Sequence, residues 1–179
     1  GPRIEALHEH LSKESRYLRF FSPMPVLSPS LLERFVNVDY VDRMALVALL
    51  GDDIVGVARY DTLDDDPSSA EVAFTVDDAH QGRGVGTVLL EHLAGIAADH
   101  GIARFVADTL PANSRMLNVF RSAGFRDERK FADGIVRVMF PIEPTPASLA
   151  AVHQRERQAA AASVHRLLHP ASVAVIGAG

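Results

Sequence analysis

The segment Gln81-Gly82-Arg83-Gly84-Val85-Gly86-Thr87 sets three glycines into five positions, between a short apolar run and a long amphipathic stretch. A turn of this kind between a strand and a helix aims backbone N–H groups and a helix N-terminus into one concavity, which is the geometry of a phosphate site. The nucleoside-triphosphate loop is excluded, because no Lys-Ser or Lys-Thr follows the last glycine. A dinucleotide fingerprint fits poorly, since the spacing is G-x-G-x-G and no βαβ unit precedes it. What remains is the pattern [Q/R]-x-x-G-x-[G/A], carried by Gln81, Gly84 and Gly86. The bland alternative is a purely structural glycine turn.

The residues around the turn give its context. Ile4, Leu7, Leu11 and Leu18 recur at helical spacing, so residues 4–19 hold one amphipathic helix or two short ones. Ser28-Pro29 reads as N-cap and first-turn proline of a helix through Phe35. The period then shortens: 45–50 and 54–60 read as a hairpin about Gly51-Asp52-Asp53, and a loop of three aspartates, Asp64 to Asp66, leads into a strand at 70–76. Val85, Val88, Leu89, Leu93 and Ile96 make the stripe of a helix over 84–99 that Gly101 ends. A strand at 103–109, a helix at 113–123 and a closing strand pair at 126–131 and 135–142, turned at Asp133-Gly134, complete a mixed α/β (α+β) domain.

Composition narrows the class. The 179 residues carry 18 Lys and Arg against 23 Asp and Glu, for a net charge of -5, with 47% hydrophobic residues. That balance excludes a disordered tail and gives no basis for nucleic-acid binding through bulk basicity. With no cysteine there are no disulfides, thiol nucleophiles or thiolate metal sites. No apolar run reaches the ~20 residues of a membrane span, and no signal peptide opens the chain, so a cytoplasmic protein is the default expectation. The eight histidines form no H-x-x-x-H pair and no cluster with carboxylates, so no metal is expected. Gly1 and Pro2 have the look of a protease scar and are left out of the fold reading.

In this order of elements the glycine turn resembles the pyrophosphate loop of the GNAT family of acyl-CoA-dependent N-acetyltransferases. The resemblance covers residues 4–142 and implies the GNAT fold, a mixed and mostly antiparallel central sheet flanked by helices, within a domain at 3–142. It implies acetyl-CoA as acyl donor, its pyrophosphate on the amides of Gln81, Gly82, Arg83, Gly84, Val85, Gly86 and Thr87 and its pantetheine arm along Phe74 to Val76. Asn113 matches the family's asparagine at the start of the next helix, which contacts the cofactor arm. Many members place a tyrosine, the acid for the leaving thiolate, where this chain has Phe120 ahead of Gly124-Phe125. The tyrosine acid is therefore missing, and either solvent serves or the thiolate leaves unassisted.

Acetyl transfer to a lysine needs the neutral amine, whose formation at neutral pH costs about 4.6 kcal/mol. A carboxylate beside the cleft, its pKa raised by partial burial, would take that proton. Alternation over Ala70 to Val76 puts Val72, Phe74 and Val76 on one face, and Glu71 with the small Ala73 and Thr75 on the other. Glu71 is thus the candidate base, the alternative being a solvated strand residue. The stretch A-E-V-A-F at 70–74 is similar to the strand that carries the general base in histone-type lysine acetyltransferases. This implies direct attack in a ternary complex. His80 is an alternative base and, more simply, a loop histidine.

Two features bear on the acceptor. Aromatic and basic residues are packed together in Arg16-Tyr17-Leu18-Arg19-Phe20-Phe21, near the helices that border the acceptor cleft in GNAT folds, where helix packing is the simpler explanation. After Pro141, Pro144 and Pro146 comes an Ala-rich helical segment within a linker at 143–170. The tail at 171–179, ending in Gly177-Ala178-Gly179, resembles the start of the CoA-binding domain of NDP-forming acyl-CoA synthetases, cut short; the alternative is a strand that joins the main sheet. A GNAT domain fused to such a region resembles a group of bacterial protein lysine acetyltransferases. It implies as protein partner an AMP-forming acyl-CoA synthetase, acetylated on its active-site lysine, with neither nucleic acid nor membrane involved. Asp64 to Asp66 could complement basic residues around that lysine. A small-amine acetyltransferase and a non-catalytic acetyl-CoA sensor stay open as alternatives.

Overall fold

The computed structural model of the chain describes residues 1–125 and 127–168. Three helices open it: α1 (Pro2–His10), α2 (Lys13–Phe20) and α3 (Pro29–Val36). The 4–19 segment is therefore two helices, broken at Leu11, and Ser12 restarts the chain by accepting the Ser15 amide. Pro2 is no idle residue. It is the first helical position of α1, where its missing N–H and fixed φ cost nothing, and the Gly1 carbonyl accepts from Ile4 N at 2.9 Å. Ser28 caps α3 through Leu31 N, with Pro29 in the first turn, as the sequence pattern predicts.

Six strands follow in one sheet of order β1-β2-β3-β4-β6-β5: β1 (Arg43–Leu50), β2 (Asp53–Leu63), β3 (Asp66–Val76), β4 (Arg104–Thr109), β5 (Glu128–Ala132) and β6 (Ile135–Pro141). All neighbours are antiparallel except β3 and β4. Asp133 (φ 54°) and Gly134 (φ 79°) make the β5–β6 turn with two positive φ values, which suits the sheet's right-handed twist. The aspartate loop is shorter than the sequence reading has it. Leu63 pairs with Asp66, so only Asp64 and Asp65 form the turn, and Asp66 already belongs to β3.

Between β3 and β4 lies α4 (Val85–Asp99), and between β4 and β5 lies α5 (Ser114–Ser122). Helix α4 packs on β1, β2 and β3 and against α5, burying Leu89, Leu90, Leu93, Ala94 and Ala97. Val88, expected on that stripe, is exposed, outside the face on which Leu89, Leu90, Leu93, Ala94 and Ala97 are buried. Helices α1 and α2 pack on β2 and β3. Tyr60, Phe105, Phe120 and Phe140 are fully buried at the centre of the core. The final helix, α6 (Pro146–Leu168), covers the Ala-rich segment, while the tail at 171–179 lies outside the described residues. No described helix is long and apolar enough to cross a membrane.

One glycine sets how closely α4 can lie on the sheet. A Cβ on Gly56 of β2 would stand 2.9 Å from Val85 Cγ1 and 3.2 Å from Leu89 Cδ1. Gly56→Val should therefore lift the start of α4, at a cost of about 1–3 kcal/mol. Thermal unfolding should read a midpoint lower by several degrees. An unchanged midpoint would mean that the helix end rides freely over this strand.

Candidate active site between diverging strands

Strands β3 and β4 pair only at Ser69–Arg104, Ala70–Phe105 and Glu71–Val106. Beyond that point β3 continues to pair with β2 as far as Val76, and β4 with β6 as far as Thr109, but not with each other. The sheet opens there into a cleft of about 760 Å³. Along one wall run Val72 to Val76, along the other Ala107 to Thr109, and the glycine turn closes the end.

The turn is built to hold an anion. Gly82 (φ 72°) and Gly84 (φ 84°) are left-handed, and Gly84 is the N-cap of α4 with no side-chain partner for the helix amides. The first intrahelical bond runs from Val88 N to the Gly84 carbonyl, which leaves the N–H groups of Val85, Gly86 and Thr87 without a partner in the helix. With the positive end of the helix dipole behind them, these amides suit a phosphate. Gly86 has another duty: a Cβ there would meet Val119 Cγ2 at 3.3 Å, so it also lets α5 approach α4.

The turn is held by a network that spans three elements. Gln81 Nε2 donates to the Val76 carbonyl at 3.0 Å, Ser15 Oγ at 3.2 Å and Asp78 Oδ1 at 3.3 Å, and Gln81 Oε1 accepts from Arg115. Asp78 accepts from Ser12 N at 2.7 Å and from Ser15 Oγ at 2.6 Å, which ties the start of α2 to the turn. Burial pushes the Asp78 pKa up, but the serine hydrogen bonds and the Arg115 charge outweigh it and leave the carboxyl below its ordinary value. A depressed folded-state pKa contributes stability that is present above the unfolded value and lost as pH falls through the folded one. Asp78→Asn should thus flatten the acid side of the stability profile, where pH falls through and below the ordinary carboxylate range, read by thermal unfolding. Should it bind acetyl-CoA, it should also show a higher KM for it. A wild-type profile and KM together would remove Asp78 from the support of the turn.

The structure brings eleven of the twelve residues singled out by sequence to this one cleft: Glu71, Phe74, Val76, Gln81, Gly82, Gly84, Val85, Gly86, Thr87, Asn113 and Phe120 line it. Arg83 is not in that lining; its side chain is exposed, whereas the sequence reading concerns its backbone amide. Asn113 uses Oδ1 to cap α5, accepting from Met116 N at 3.1 Å. Phe120 is primarily a core residue, 0% exposed, with its ring edge-on to Phe74 and 4.9 Å from Phe140. His80 also lines the cleft and is held by Asp77, with Nδ1 3.1 Å from the carboxylate.

Glu71 stands where the strands part, opposite Asp61 on β2 and beside Val106 on β4. The alternation holds: Val72 and Phe74 are buried, while Glu71 is exposed and Ala73 and Thr75 are half-buried on its face. The partial burial expected of the Glu71 carboxylate is absent, since its neighbours on that face are too small to cover it. Two cations feel its charge. Arg137 is held by Asp108 at 2.8 and 2.7 Å, and that hydrogen bonding, the Asp108 charge and then Glu71 raise its pKa. Burial and the nearby Arg59 push Arg19 down to about 10, against the opposing pull of Glu71 and Asp61. The aspartate turn is remote from this point: five strand positions, or about 17 Å, separate Asp66 from Glu71. Asp66 is also committed to Ser68, Ser69 and Arg104.

A model of the acetyltransferase (GNAT) family matches residues 4–125. The chain belongs to the GNAT family of acetyltransferases. The crystal structure of the GNAT domain of Streptomyces lividans PAT superposes with a TM-score of 0.74 at 45% identity, covering 78% of this chain and 84% of that one. Acetyltransferase Pat of Mycolicibacterium smegmatis is 37% identical over 117 residues, 63% of this chain and 34% of its own length. An acetyltransferase of Pseudomonas aeruginosa is 32% identical over 123 residues, 66% of each chain. The chain thus spans about two thirds of one of these curated relatives and about one third of the other.

GNAT enzymes take acetyl from acetyl-CoA, and the unpartnered amides of Val85 to Thr87 fit that donor's pyrophosphate. Among the described residues no group of three His, Cys, Asp or Glu side chains is placed to hold a metal ion. Four contributors to the GNAT site escape a sequence reading: Ser12, Ser15 and Asp78, which anchor the turn, and Arg155 of α6. The last pairs with Glu91 of α4, donates to the Ser122 carbonyl at 3.2 Å and reaches the cleft lining.

Proposed function

We propose that this chain is the catalytic domain of a protein lysine N-acetyltransferase, and that its substrate is a lysine of an AMP-forming acyl-CoA synthetase. The observation that carries this reading is the position of Glu71, at the point where β3 and β4 part and on the open face, in a chain 45% identical to a PAT GNAT domain. The amides of Gly82 and of Gly84 to Thr87 hold the pyrophosphate, and the β4-facing edge of Val72 to Val76 receives the pantetheine amides as a neighbouring strand would. Asn113, its Oδ1 spent on the α5 cap, has its side-chain amide N–H groups left for the same arm.

Glu71 accepts the proton of the lysine ammonium, directly or through a water. The freed nitrogen bonds to the thioester carbonyl carbon, its second surplus proton passes to solvent, and the carbon–sulfur bond breaks. Because Phe120 has no hydroxyl, the departing thiolate takes its proton from solvent. Small Ala73 and Thr75 beside Glu71 leave room for a lysine on the surface of a folded partner.

The test is acetyl-CoA turnover with a purified AMP-forming acyl-CoA synthetase as acceptor, beside a panel of polyamines and aminoglycosides. Acetylation of a single synthetase lysine, located by mass spectrometry, is the expected result. Turnover of small amines alone would refute the protein-substrate reading. Binding of acetyl-CoA with no turnover of any acceptor would point instead to a sensor.

A further inference from the structure

A second cavity, of about 270 Å³, lies between α1, α2 and α3 and the face of the sheet that carries Glu71. Its walls are largely apolar, with Leu7, Leu11, Phe20, Leu27, Phe35 and Val57 among them, yet two arginines line it, Arg19 and Arg59. Arg59 is 6% exposed. Its Nε and Nη2 donate to Asp61 at 3.1 Å each, and its guanidinium carbon sits 4.8 Å from the centre of the Phe35 ring. Its Nη1 is buried and has no partner. Leaving a buried charged donor unpaired is costly, so such a group marks a place where an acceptor belongs.

The charge around it is unbalanced in the same sense. Asp61 is shared with Arg34, at 3.4 Å, and Arg19 makes no hydrogen bond or ion pair among the described residues. Glu71 stands one strand over from Asp61 and is exposed. Arg19 and Arg59 thus line the cavity with no carboxylate among its lining residues, and apart from His8, Tyr40 and Thr75 the remaining walls are apolar. A phosphate or nucleotide would strand its polar surface on those walls, and a neutral lipid would leave Nη1 unpaired.

We propose that this cavity binds a straight-chain monocarboxylate of about eight carbons, its carboxylate between Arg19 and Arg59 and its chain among the apolar side chains. The size follows from the volume, which is about twice the ~150 Å³ cavity that takes up a benzene. The cavity shares Leu11, Arg19, Ala73 and Thr75 with the cleft, and Ala73 is the cross-strand partner of Arg59. A bound carboxylate therefore sits against the face that bears Glu71. If the reading under Proposed function holds, it obstructs the approach of the acceptor lysine and slows transfer.

Octanoate titrated into the whole chain by calorimetry, with saturating CoA present throughout, tests the site. The expected result is one octanoate per chain, bound at least tenfold more tightly than octanol. Arg59→Met should weaken octanoate at least tenfold and leave octanol unmoved. Val57→Phe, which fills the cavity and leaves both arginines in the chain, should abolish both, and it keeps the test alive if the arginine variant does not fold. Equal binding of octanoate and octanol, an unchanged affinity in folded Arg59→Met, or no binding of octanoate to the CoA-saturated chain would each overturn the proposal. Octanoate binding is read without any acceptor, so a chain that binds it and acetylates nothing refutes the enzymatic reading alone.

Discussion

Glu71→Gln should slow acetyl transfer by about 10²–10⁴-fold, the usual contribution of a positioned general base, and leave the affinity for acetyl-CoA essentially unchanged. Gln keeps the shape and hydrogen-bonding reach of Glu but cannot accept a proton. Glu71 touches neither the glycine turn nor its anchors, so the donor's seat is undisturbed. The pH profile separates a base from a mere contact. Without a base, attack depends on amine already free in solution, a fraction that rises tenfold per pH unit below the lysine pKa near 10.4. The variant should therefore recover steeply toward about pH 9.5 while the wild type is flatter. Initial rates across that range, with acetyl-CoA affinity measured alongside, check the claim. Wild-type rates with a wild-type profile would move the base elsewhere, with His80 beside Asp77 the next group to test.

Local signals explain what was legible in the sequence. Ser28-Pro29, Asp133-Gly134 and the G-x-G-x-G turn each encode a backbone geometry within a few residues, and each appears where the pattern puts it. Alternation from Ala70 to Val76 likewise separates Glu71 from Val72 and Phe74, because a strand's period of two is unaffected by its partners. The parting of β3 and β4 after Glu71–Val106 has no such local code. It depends on how two strands separated by a whole helix are held by β2 and β6, and residue types along either strand do not announce it. The same holds for Ser12 and Ser15 on Asp78, partners more than sixty residues apart. Arg83 and Phe120 each have two sides: the sequence reading concerns the Arg83 backbone amide, on which its exposed side chain has no bearing, and Phe120 lines the cleft while also packing into the aromatic core.

Gly84→Val should cost CoA about 10²-fold in affinity while leaving the fold intact. Nothing lies within 4 Å of a Cβ placed on Gly84, so space is no obstacle. Conformation is. At φ 84° an ordinary L-residue pays about 1–2 kcal/mol, and a β-branched one is a genuine outlier. The chain relieves that strain most easily by returning residue 84 to negative φ, which rotates the following peptide planes and points the Val85 to Thr87 amides away from the cleft. Each amide-to-phosphate bond is charge-assisted and contributes about 1.5–3 kcal/mol, so losing even one weakens binding by an order of magnitude or more. Pantetheine, which carries no phosphate, supplies the control. Calorimetry should find its affinity unchanged in the variant while that of CoA collapses, with the thermal midpoint lowered by only a few degrees. Were both ligands to weaken equally, the turn would be shaping the whole cleft through α4 and the Gly86–Val119 contact rather than gripping the pyrophosphate.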